Sequence, residues 1–156
     1  MKTHQPELLK SLSIIKPNFH AFTKRFHTKL TQSCITMSYP TAAQFNERSY
    51  TLYCMLERII KHLDNPLSVA PFLSYQLQFL NNDNIQQSDI KVLCDTFYAT
   101  LEEHLGQRFS SEKKVAWRKV LMFFENFSNN SLFHTTNVIS LEQRMLKKAS
   151  HEEANS

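Results

Sequence analysis

Gly106, the only glycine in the chain, is the feature that most constrains the fold. It separates two stretches in which apolar residues recur every three or four positions. The stripe after it runs from Ala116 to Phe127. This spacing places apolar side chains on one face of a 3.6-residue helix. The stretch from Asp89 to Asn129 is therefore predicted to form two amphipathic helices joined at Gly106.

Local signals at the ends of these helices agree with that prediction. Ser88 is placed to accept from the free N–H groups at the start of the first helix. Gly106 can adopt the left-handed conformation that ends it. Ser110 precedes the second helix as an N-cap, and Glu112 puts an acid in its first turn. Because the connection is short, we expect the two helices to pack antiparallel.

The remainder of the chain is also predicted to be helical. One glycine and five prolines leave little turn chemistry for β-hairpins, and strand-like alternation is absent. Helical stripes are expected over residues 6 to 16, from Phe19 onward, over 46 to 63 and from Val69 onward. We therefore expect one all-α domain over residues 1–149, followed by a polar tail over 150–156.

Composition argues against several classes of partner. No apolar run approaches the roughly 20 residues of a membrane span, and the N-terminus lacks the apolar segment of a signal peptide. The three cysteines are widely spaced and odd in number, which suits reduced thiols in a cytoplasmic protein. The net charge of +4 is modest, and aromatic residues do not interleave with the lysines. We expect a cytoplasmic location, with no nucleic acid and no membrane as partner.

The segment Ala99–Gly106, followed after a few polar residues by Ala116 and Trp117, resembles the last two helices of a bacterial single-domain globin or flavohaemoglobin. The resemblance implies a globin-like, three-over-three helical sandwich of about seven to eight helices. It places His27 where many bacterial globins carry a distal Tyr. It also matches Phe45 to the family's aromatic residue on the porphyrin face, and puts the distal ligand-gating position near Tyr50.

The resemblance also locates the family's proximal histidine, the haem-iron ligand. Counting back from Ala99 and forward from Pro71 leads to the same residue, Leu80, whose side chain has no lone pair to offer iron. The Tyr and Glu that hydrogen-bond the proximal histidine in flavohaemoglobins correspond here to Ile90 and Ser131. All three members of the proximal assembly are therefore replaced.

Five residues are candidates for lining the corresponding pocket: His27, Phe45, Tyr50, Phe79 and Leu80. The sequence contains no nucleophile elbow, P-loop or metal-ligand cluster. We therefore predict no catalytic residue, no metal site and no enzymatic activity. His27 is the alternative metal ligand, on the distal side.

Three functional hypotheses remain open at this stage. In the first, the chain is a globin-like module without haem that acts as a sensor, regulator or partner-binding protein, and it associates with itself or a partner through the 89–129 helix pair. In the second, it binds haem through an unusual ligand and carries or detoxifies oxygen or nitric oxide. In the third, its pocket holds another apolar molecule, such as a fatty acid or linear tetrapyrrole.

Overall fold

The structure is a computed structural model, and it describes residues 2–33, 41–78 and 85–134. Six α-helices occur in these ranges: α1 (Gln5–Ile15), α2 (Phe19–Thr31), α3 (Ala42–Lys61), α4 (Ala70–Leu77), α5 (Gln87–Leu105) and α6 (Ser111–Asn129). The described residues contain no strand, which confirms the predicted all-α class. The predicted tail over 150–156 lies outside the described residues.

The α5–α6 pair has the predicted antiparallel arrangement. Cys94 Sγ on α5 donates to the carbonyl of Leu121 on α6 at 3.9 Å, and the rings of Phe97 and Trp117 lie 5.9 Å apart. Residue numbers thus rise along α5 as they fall along α6. Gly106 ends α5 with a φ of 55°, a region that favours glycine. The glycine is therefore where the chain reverses direction.

The predicted N-cap of α6 is confirmed. The Ser110 hydroxyl accepts from the backbone N–H of Lys113 at 3.3 Å, and Glu112 lies in the first turn. A cap of this kind satisfies one of the donors that a helix start leaves without an intrahelical partner.

Two other helix starts differ from the prediction. α3 begins at Ala42, earlier than position 46, because Thr41 and Gln44 form a capping box with bonds of 3.2 and 3.0 Å. α5 begins at Gln87, and its N-cap is Gln86 rather than Ser88. Both starts are set by reciprocal bonds between a cap residue and the residue three positions later.

The first three helices pack around the α5–α6 pair. α1 contacts α6 and α3, and the Gln5 side chain donates to the carbonyl of Ile60 at 3.0 Å. α2 contacts α5 and α3. At the α2–α5 surface, Arg25 and Lys29 both pair with Glu103, at 3.2 and 2.7 Å. These contacts bring residues from both ends of the described chain into one core.

The buried face of each helix carries the apolar residues that define its stripe. The fully buried large side chains include Leu8, Ile15, Phe22, Met55, Leu56, Ile59, Ile60, Leu73, Leu77, Ile90, Leu101, Trp117 and Phe124. Burial of such residues is the main favourable term in folding. Among the described helices, none has the length and continuous apolar character that crossing a membrane requires.

Candidate functional site

Two of the predicted pocket residues, His27 and Phe45, contact each other. His27 lies on α2 and Phe45 lies in the first turn of α3. Their ring centroids are 4.6 Å apart, with planes tilted by 56°. The Phe45 ring is buried and also lies 5.5 Å from Phe26. The imidazole therefore packs against an aromatic wall that α2 and α3 build together.

This wall continues inward as an aromatic row, which we define as Phe22, Phe26, Phe45, Phe97 and Trp117. Phe97 on α5 lies 5.2 Å from Phe22, 5.6 Å from Phe26 and 5.9 Å from Trp117. All five side chains are buried. Aromatic pairs in a tilted or edge-on arrangement at such distances stabilise a fold by about 0.5–1.5 kcal/mol beyond the contribution of burial. The space where α2, α3, α5 and α6 meet is therefore occupied by packed rings.

Tyr50 and Tyr53, one turn apart on α3, have different environments. Tyr50 is 59% exposed, and its ring lies 5.8 Å from Phe19. Tyr53 is 3% exposed and packs 5.1 Å from the same Phe19. Burial raises the pKa of Tyr53, and the carboxylate of Glu57 adds to that shift. Tyr50 thus lies at the surface beside Phe19, while Tyr53 belongs to the core.

The remaining candidates, Phe79 and Leu80, lie outside the described residues. The position matched to the family's Tyr can be placed: Ile90 is fully buried on α5. An aliphatic side chain there supplies no hydroxyl to orient a histidine. Ser131, matched to the family's Glu, is partly buried just after α6.

The side chains available do not fit haem held in the family's manner. Residue 80 is a leucine, Ile90 replaces the hydrogen-bonding Tyr, and the His27 ring packs on Phe45 at 4.6 Å. Haem iron in globins needs an imidazole ligand, usually oriented by a second group. Among the described residues, no three His, Cys, Asp or Glu side chains come together as a metal site. We therefore derive no chemistry through haem.

His104, in the last turn of α5, is partly buried. Its ring stands edge-on to Phe22, with centroids 5.4 Å apart and planes at 83°. Its Nδ1 is buried and has no hydrogen-bond partner among the described residues. Desolvation lowers the pKa of His104, and the charges of Arg25 and Arg108 lower it further. Phe97, Leu101 and His104 follow one another at intervals of four and three positions, and this helical spacing is the signal that could have placed His104 on the inner face.

His104 also lines a groove of about 470 Å³ where the end of α1, the start of α2 and the end of α5 meet. We call it the basic groove. Its lining residues are Ser13, Ile14, Pro17, Asn18, Ala21, Arg25, His104 and Arg108. Two guanidinium groups and no carboxylate are present in this lining. Sequence reasoning missed the groove because two stretches far apart in the chain, 13–25 and 104–108, form it.

No protein-family model matches the chain, and no curated protein is significantly similar to it. The resemblance to globins therefore continues to depend on the residues quoted in the sequence analysis. The globin relationship, the cytoplasmic location and the expected lack of a nucleic-acid partner stay predictions.

Proposed function

We propose that this protein is a globin-like module that has lost haem ligation and acts without catalysis, as a sensor, regulatory or partner-binding protein. The proposal includes the finer fold expected from the resemblance, a three-over-three sandwich of about seven to eight helices. The antiparallel α5–α6 pair with its glycine connection and buried Trp117 supports that fold. The aromatic row is the observation that carries the function.

The aromatic row matters because a fold that gives up a large cofactor must fill the space. An empty apolar cavity destabilises a protein by about 24 cal/mol per Å³. Five buried rings from four helices supply the packing that an absent porphyrin would otherwise provide. The leucine at position 80, with no lone pair, fits the same interpretation.

Adding hemin to the purified protein tests the loss of haem ligation. We expect the absorption spectrum to remain that of free hemin, while the protein itself melts cooperatively without it. A sharp Soret band that shifts on reduction and with carbon monoxide, and that His27→Ala abolishes, would overturn the proposal in favour of the haem hypothesis. A tightly bound lipid or pigment found by native mass spectrometry would instead favour the apolar-ligand hypothesis.

A module that performs no chemistry must act through a binding surface. We propose that this protein associates with itself through the outer face of α5–α6. Val115 and Met122 lie two turns apart on α6, and they are 47% and 60% exposed. Exposed Arg118 lies between them, while α5 presents the exposed acids Asp95 and Glu102. In a two-fold dimer the acids of one α5 can face the base of the partner's α6, so the surface is self-complementary.

Sedimentation velocity tests this part of the proposal. We expect a dimer for the unmodified chain and a monomer for Met122→Glu, because an added acid removes an apolar contact and repels the partner's α5. Leu67→Glu is the matched control, since Leu67 is 65% exposed but lies between α3 and α4. A monomeric unmodified chain, or dissociation of both variants alike, would contradict self-association through α5–α6.

A further inference from the structure

The basic groove offers hydrogen-bond donors that the fold leaves unused. Asn18 precedes α2 as its N-cap residue, but its side-chain oxygen accepts no capping bond. Its amide N–H₂ group is the part of the side chain that can donate. The backbone carbonyl of Arg108 accepts from Lys113 Nζ at 2.9 Å, whereas its guanidinium forms no ion pair with any described residue. These two polar groups line the groove from opposite segments of the chain.

Arg25 adds a second cation that is only partly committed. One of its guanidinium nitrogens donates to Glu103 at 3.2 Å, and the same carboxylate also pairs with Lys29 Nζ at 2.7 Å. A guanidinium carries five N–H donors, so Arg25 keeps donors for another acceptor. Because Glu103 already has two cationic partners and does not line the groove, the lining keeps a positive character.

We propose that the basic groove binds a small oxyanion-bearing molecule, a phosphate or carboxylate compound, which Arg25 and Arg108 hold and to which Asn18 donates. The planar fork of a guanidinium matches the paired oxygens of either anion. A volume of about 470 Å³ lies within the ordinary range of small-molecule sites, which runs from about 300 to 1,000 Å³. This inference goes beyond the proposed function and depends on neither haem loss nor self-association.

His104 provides an internal reporter of occupancy. The charged groups that face it are Arg25 from α2 and Arg108 after α5, while α1 contributes only the uncharged Ser13 and Ile14 to the lining. Both cations lower the pKa of His104. An anion held between them offsets their repulsion and attracts the imidazolium, so binding raises this pKa.

The test follows the His104 ring resonance by NMR through pH titrations at fixed ionic strength. Inorganic phosphate and citrate are added in separate series, and His104→Gln assigns the signal among seven histidines. We expect a saturable rise in the pKa of His104 with at least one anion. A saturable rise with phosphate alone, or with citrate alone, would support the proposal and identify the preferred anion. No saturable rise with either anion would overturn it.

Matched arginine variants then locate the site. Arg108→Gln is expected to weaken anion binding about tenfold, because it removes one cation and its paired N–H donors from the groove. Arg58→Gln removes the same charge from the exposed side of α3, outside the groove, and is expected to leave binding unchanged. Equal weakening by both variants would mean general charge attraction and would overturn the assignment. Met122→Glu is expected to bind the anion normally, which separates this test from that of self-association.

Discussion

His104 stands edge-on to Phe22, with ring centroids 5.4 Å apart and planes 83° apart. This contact joins the basic groove to the aromatic row, because His104 lines the groove and Phe22 belongs to the row. A change of charge on the imidazole therefore takes place against the buried core. The contact makes protonation of a single residue relevant to the stability of the whole fold.

The first prediction concerns pH. Burial, with Arg25 and Arg108, holds the pKa of His104 below its usual value of about 6.5. The unfolded chain therefore takes up this proton at a higher pH than the folded protein does. The associated stability is fully present above about pH 6.5 and is lost as the pH falls from there through the lowered folded value.

Urea melts across this range check the sign. We expect the free energy of unfolding to fall on acidification, and to fall less steeply in His104→Gln than in the unmodified protein. The other histidines are the same in both proteins, so the difference between the two slopes isolates residue 104. Equal slopes would contradict the prediction.

The second prediction concerns the centre of the aromatic row. Phe97 contacts rings on α2 and α6, so Phe97→Ala leaves a cavity that several helices border. We expect a loss of about 3–5 kcal/mol in the free energy of unfolding, measured by urea denaturation. Leu67→Ala, an exposed control outside the proposed α5–α6 surface, is expected to change it by about 0.5 kcal/mol or less. A Phe97→Ala cost as small as that of the control would show that the row does not support the core.

The third prediction uses two neighbouring serines at the start of α6. The Ser110 side chain caps the helix by accepting from Lys113, whereas Ser111 is an exposed first-turn residue. We expect Ser110→Ala to lower the free energy of unfolding by about 1 kcal/mol. Ser111→Ala, with the same atoms removed one position later, should have little effect. If the two variants melt alike, the cap makes no net contribution.

The fourth prediction concerns Gly106. A Cβ built at this position meets nothing within 4 Å, so space does not limit substitution. The φ of 55° limits substitution instead, because residues other than glycine rarely adopt it. We expect Gly106→Ala to cost about 1–3 kcal/mol in thermal or urea unfolding. Gln107→Ala, at the exposed next position, is the control, and an equal effect in both would exclude backbone strain as the cause.

Much of the α5–α6 pair could be predicted from the sequence because its signals are local. The apolar stripe, Gly106 and Ser110 all act within a few positions of where they stand. The start of α3 differs: the helix is predicted over residues 46 to 63, whereas it begins at Ala42. The Thr41–Gln44 box was a readable signal that places Phe45 inside the helix.

The candidate site was less predictable because its contacts cross the chain. Sequence reasoning placed His27 and Phe45 in one pocket, and they are in contact. It also included Tyr50, which lies exposed beside Phe19, one turn from the buried Tyr53. Neighbouring aromatics on one helix differ in burial by their angle to the core, and periodicity alone fixes that angle poorly. The basic groove needs two distant stretches, 13–25 and 104–108, brought together, which no local pattern reveals.

The pairing of α2 with α5 has a consequence for how the protein is made. Arg25 and Glu103, which join these helices, are 78 positions apart. During synthesis, Phe22 and Phe26 leave the ribosome long before their partner Phe97 exists, so their rings stay uncovered while the middle of the chain is translated. The centre of the core therefore closes late. Newborn chains of this protein therefore pass through a stage in which apolar rings face water until α5 has been translated.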